Sequence, residues 1–153
     1  METTKKIRVE VLSGGRTGYQ VPIFLKGITT QKVYTKWLNR KANAHFKRDR
    51  KHSGSKFTRQ EYKEAIHKAV QESNSRDAYT GKLLKWELIS RFNNAEAKLG
   101  KRKYMRKFAQ MPTVDHVNRS HKKLNFNICS WQVNDSKSSM TLKEFIKLAK
   151  EII

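Results

Sequence analysis

The sequence holds a single cysteine, Cys129, in 153 residues. A lone thiol forms no internal disulfide and builds no cysteine-based zinc site, so packing must hold the fold. The reducing cytoplasm is the expected setting. Acid is scarce: 13 Asp and Glu stand against 34 Lys and Arg, for a net charge of +21. Long apolar runs are absent. The longest, Val21-Pro22-Ile23-Phe24-Leu25, is far short of the roughly 20 residues that span a bilayer, so no membrane role is expected. Met1 to Arg8 has no apolar stretch of the signal-peptide kind. No internal repeat or low-complexity tract is visible.

What is present is aromatic and basic. Aromatics make up 10% of the chain, with three Trp. That is too much buried-type surface for a disordered basic tail and predicts one folded core. So high a charge on a small chain is self-repulsive unless a polyanion neutralises it. Nucleic acid is the first candidate, ahead of an acidic membrane surface or an acidic protein. The bases are clustered. Lys32 to Lys51 holds eight, with Asp49 as the sole acid, and Lys98 to Lys107 holds six with none. Either cluster alone reads as a solvated face. With Trp37, Phe46, Tyr104 and Phe108 interleaved, the pair favours nucleic-acid contact.

The pattern predicts an α+β chain. Ile7, Val9 and Val11 alternate with polar residues, Ser13 to Gly18 reads as a turn, and Tyr19 to Leu25 as a second strand. Together these predict an N-terminal β-hairpin. Thr30 can cap a helix running through Arg50, with Val33, Trp37 and Ala44 as a sparse, lightly packed stripe. Ser53-Gly54-Ser55 breaks it. Thr58 with Glu61 is a capping box for a helix to about Ser73. Asp77 to Gly81 is a turn, and Trp86 to Leu99 reads as helical. Thr141 with Glu144 opens a last helix whose Phe145, Leu148, Ala149 and Ile152 form a stripe expected to face the core. The division expected is a basic region at 1–75 and a second domain at 76–153.

The chemistry-bearing residues gather between 112 and 137. Asp115 and His116 end a short apolar strand. Asn125 lies nine residues after His116 and Asn134 nine further on, followed three later by Lys137. Phe126, Ile128 and Ser130 alternate with Asn127, Cys129 and Trp131, as in a strand, and a helix then begins. Cys129 itself reads as a small buried apolar residue.

Strand with Asp-His, loop, strand, then helix carrying Asn resembles the HNH endonucleases, the ββα-metal superfamily. Asp77-Ala78-Tyr79-Thr80-Gly81 is similar to the Tyr-Thr-Gly turn that often precedes the finger in bacterial and phage members. The resemblance implies a ββα-metal finger at 112–140, with helices and the hairpin around it. It implies that Asp115 and Asn134 hold one divalent metal, Mg2+ or Mn2+. His116 would be the general base and Asn125 its brace, with Asn127 as an alternative brace. Many members staple the finger with zinc between Cys-x-x-Cys pairs; with only Cys129, no structural zinc is expected here.

The implied activity is metal-dependent hydrolysis of DNA phosphodiesters, of a restriction, homing or phage type, by a cytoplasmic protein that is nucleoid-associated or phage-encoded. Phosphodiester hydrolysis needs an activated water, and a histidine titrates in the right range to supply it. An acid and an amide oxygen leave metal positions open for phosphate and water. Phosphate contacts on double-stranded DNA are expected from Arg119, Lys122, Lys123 and Lys137 beside the finger. Arg40, Lys47, Arg48 and Lys51 would supply more from the first helix, and Lys101, Arg102 and Arg106 from the second cluster. A homodimer is one way to cut both strands. The alternative is a non-catalytic nucleic-acid-binding protein that keeps an HNH-like scaffold.

Overall fold

The computed structural model describes residues 19–117 and 123–153. Five α-helices and one two-stranded sheet follow each other along the chain: α1 (Gln31–Ser53), α2 (Arg59–Ser73), α3 (Asn94–Lys107), β1 (Pro112–His116), β2 (Phe126–Ser130), α4 (Trp131–Lys137) and α5 (Leu142–Ile152). Two 3-10 turns, Ile23–Leu25 and Trp86–Ser90, complete the described elements.

The α+β content agrees with the sequence pattern, but the N-terminal hairpin does not. Its first strand and its turn lie outside the described residues. Its second, Tyr19 to Leu25, is an irregular stretch ending in the 3-10 turn. Pro22 has no N–H for a ladder. The neighbouring backbone groups are met by a side chain instead: Gln31 Oε1 accepts from Val21 N at 2.8 Å and Gln31 Nε2 donates to Tyr19 O at 2.7 Å. The one described hairpin is C-terminal, β1 against β2.

Local signals fix most helix ends. Thr30 accepts from Val33 N, and Gly54, at φ 64°, closes α1 in the left-handed conformation that glycine adopts without cost. Both capping boxes form, Thr58 with Glu61 and Thr141 with Glu144. The helix expected over Trp86 to Leu99 is instead a 3-10 turn followed by α3. Asn93 turns its side chain onto Ala95 N and Glu96 N, so the helix restarts there. α3 is kinked at Lys101, φ 46°.

α1 is not lightly packed. It buries Tyr34, Trp37, Leu38, Ala42, His45, Phe46 and Asp49, while Ala44 faces solvent. Trp37 and Trp86 meet edge to face at 5.0 Å. One core joins Leu25, α1, α2, Trp86 and the sheet through Val114, Phe126 and Ile128. It runs through the boundary expected near residue 75 without a break. α5 contributes no buried residue: Leu148 is 41% and Ile152 77% exposed, so the stripe expected to face the core does not.

Candidate functional site

Strand alternation sorts the hairpin's side chains. His116 pairs with Phe126 and Val114 with Ile128, and these four share a face. Asp115 pairs with Asn127 and Thr113 with Cys129 on the other. The first face lies against the helices. The His116 ring sits between His45, 4.8 Å away at 61°, and Phe126, 5.0 Å away at 57°. Ser130 ends β2 and caps α4 by accepting from Val133 N, so α4 turns back at once and carries Asn134 to the sheet end. Asp115, His116 and Asn134 thereby line one cleft of about 460 Å³, together with Arg48, Asp49 and His52 of α1.

Asp115 is held from the opposite face. Its Oδ2 accepts from Tyr79 Oη at 2.6 Å and from Lys137 Nζ at 3.1 Å. Tyr79 reaches it because of the turn before it. Asp77, buried, accepts from Tyr79 N at 2.8 Å and Thr80 N at 3.3 Å through Oδ1, and from Ser130 N at 3.0 Å through Oδ2. Ala78 N donates to Ile128 O, and Gly81 takes φ 71°. The Tyr-Thr-Gly turn is thus stitched to β2 and delivers a phenol to the Asp115 carboxylate. Burial, with the Asp115 charge beside it, pushes the Tyr79 hydroxyl well above its ordinary range, so it stays a donor. Cys129, fully buried, is pushed up likewise and is inert, as a small apolar residue should be.

His116 is met by an acid that spacing along the chain does not reveal. Its Nε2 lies 2.8 Å from Asp49 Oδ2, across 67 residues of sequence. The same oxygen accepts from Tyr62 Oη at 2.7 Å, and Tyr62 shares a 2.9 Å hydrogen bond with Ser55 Oγ. Burial acts to raise the Asp49 carboxyl, but hydrogen bonds from His116 and Tyr62 outweigh it and hold the group below its ordinary value, hence ionised. His45 is buried behind His116. Burial first, then the nearby His116 and Arg48 charges, lower it to about 3.

The remaining expected residues fall in three places. Arg119 and Lys122 lie outside the described residues. Lys123, Arg40, Lys47, Arg48, Lys51, Lys101, Arg102 and Arg106 are exposed, and Arg48 also lines the cleft. Lys137 is 5% exposed and pairs with Asp115, so it holds the carboxylate rather than facing a duplex. Asn125 contributes its backbone: its carbonyl accepts from Val117 N at 3.0 Å and closes the hairpin beside His116. Asn127 Nδ2 donates to Tyr79 Oη at 3.4 Å and so sits on the Asp115 side. Neither asparagine side chain has a hydrogen bond to the His116 ring among the described residues; the carboxylate of Asp49 does. A lone acid inside a run of eight bases was the one sequence signal for it.

No group of three or more His, Cys, Asp or Glu poised for a metal exists among the described residues. The residues that could hold a cation are a carboxylate and an amide, Asp115 and Asn134, on one cleft. The described contacts of Asp115 fall on Oδ2, so Oδ1 could meet a hard cation, and Asn134 could offer an amide oxygen of the kind magnesium and calcium take. No described helix is long and apolar enough to cross a membrane. Comparison with protein-family models, with curated proteins and with solved structures finds no match for this chain.

Proposed function

We propose that the chain is a metal-dependent DNA endonuclease that hydrolyses phosphodiesters with His116 as general base. The observation that carries this reading is the convergence of Asp115, His116 and Asn134, from a strand and the helix after the next strand, on one open cleft. Binding alone requires none of the three. Asp115 and Asn134 would hold a divalent cation, Mg2+ or Mn2+, which when bound relieves charge on the phosphate and the leaving oxygen. His116 takes a proton from the attacking water. Tyr79 and Lys137 keep Asp115 turned toward the cleft.

The surface supports the same substrate. Only three salt bridges occur among the described residues, and two of them are at this site. Most of the bases are therefore unmatched by acid. Arg48 and His52, one helical turn apart on α1, line the cleft itself and can meet the phosphates flanking the cut.

The test is conversion of supercoiled plasmid to nicked circles by the pure protein in magnesium or manganese. We expect nicking that chelator abolishes. Plasmid bound but left intact in every metal would return the chain to the non-catalytic binding alternative.

A further inference from the structure

We propose that Asp49 is a positioning residue that fixes the tautomer of His116, keeping its ring proton on Nε2 so that Nδ1 is the atom that accepts the proton from water. This rests on the reading of His116 as the base.

The assignment comes from the hydrogen-bond inventory. An ionised carboxylate only accepts, so the 2.8 Å contact between Asp49 Oδ2 and His116 Nε2 requires the N–H on Nε2. A neutral imidazole has one N–H, and its lone pair is then on Nδ1. Asp49 is built to hold that bond. It is 5% exposed near the end of α1, and Tyr62, 0% exposed, donates to the same oxygen at 2.7 Å. Tyr62 is itself anchored on buried Ser55 at 2.9 Å. His45 and Phe126 fix the plane of the His116 ring, and Asp49 fixes its rotation within that plane.

The step balances without a further reagent. Water gives its proton to Nδ1. The oxygen's electron pair forms the new P–O bond, the bond to the leaving oxygen breaks with its own pair, and solvent protonates that oxygen. His116 is then an imidazolium whose Nε2–H still donates to Asp49, so the buried carboxylate stabilises the charge the step creates. Afterwards the Nδ1 proton returns to solvent.

The experiment joins two readouts on the full chain. At pH 8, nitrogen-15 spectra of the imidazoles should show His116 as the Nε2–H tautomer in the wild type. In Asp49→Asn it should be mixed or reversed, because an amide can donate to Nε2 as well as accept from it. Single-turnover nicking at saturating magnesium should fall about 10²–10⁴-fold in Asp49→Asn, while duplex affinity in calcium stays within about twofold. Tyr62→Phe keeps the ring but frees the carboxylate. It should give a smaller loss of the same kind, and it serves if Asp49→Asn melts early. An Nδ1–H tautomer in the wild type would overturn the proposal. So would Asp49→Asn cleaving within threefold of wild type while His116→Ala is dead, and in that case the nuclease reading stands. No cleavage by the wild type removes both.

Discussion

Asp115 is both a proposed metal ligand and the partner of Lys137, and its substitutions must be read accordingly. Lys137 is nearly buried and Asp115 is its described counter-charge. Asp115→Ala therefore strands a buried ammonium, a change of the kind that costs about 3–5 kcal/mol, and it confounds metal loss with unfolding. Asn134 has no such burden. Asn134→Ala should weaken calcium or magnesium binding at least about tenfold by calorimetry with little change in melting temperature, while Asn125→Ala leaves metal affinity alone. Equal affinity in Asn134→Ala and wild type would remove Asn134 from the ligand set. Away from the site, His67 sets an acid limit. It is buried, shares a 2.6 Å hydrogen bond with Tyr34 Oη, and burial lowers it to about 4. The unfolded chain takes up that proton near pH 6.5, whereas the folded one resists it. Its share of stability is thus full above about 6.5 and lost as pH falls toward 4, about 1–2 kcal/mol by pH 5. Melting curves at pH 7 and 5 should show the loss in wild type and a smaller one in His67→Gln. An unchanged difference in the variant would locate the acid sensitivity elsewhere.

Among elements, α1 and α5 have opposite fates from similar-looking evidence. α5 has a clean apolar stripe yet buries nothing, and α1 has a broken one yet forms the centre of the core. Leu148→Gln and Ile152→Gln should each change stability by no more than about 0.5 kcal/mol. Leu38→Ala, at a side chain fully buried in α1, should cost about 2–5 kcal/mol in denaturant unfolding. A large cost at Leu148 would mean that α5 packs on the chain in solution. The contrast shows what the sequence makes legible. Thr30, Gly54, Thr58 with Glu61, and Thr141 with Glu144 are readable because a cap acts within a turn of itself. The placement of Asp115 and His116 on a strand and Asn134 on a helix is readable because that spacing is local as well, while their grouping comes from the family resemblance. Asp49 and His45 were not, because polar side chains carry no core signature and their partner is decided by how α1 lies on the sheet. The Tyr19–Leu25 strand failed for a related reason: a side chain from α1, Gln31, took the hydrogen bonds that a neighbouring strand would have made.

For the molecule as a whole, the proposed function makes charge decide where a duplex would go. Exposed bases of α1 and α3 carry part of the net +21, while the cleft sits at the junction of α1, β1 and α4. Binding to non-cognate duplex in calcium should fall about 10³–10⁵-fold between 50 and 200 mM salt if roughly 6–10 phosphates are neutralised. Replacing Lys47, Arg48, Arg50 and Lys51 together by Ala should flatten the plot of log affinity against log salt by up to about four units. An unchanged slope would move the duplex to the Lys98–Lys107 surface. Charge of this kind gives affinity and position but no bond cleavage. General-base catalysis by His116 is therefore read from one paired measurement, the single-turnover nicking rate and the duplex affinity of His116→Ala beside wild type in magnesium. With His116 as the base, the rate should be lower by about 10²–10⁴ with affinity unchanged. A variant that nicks at the wild-type rate would contradict that role.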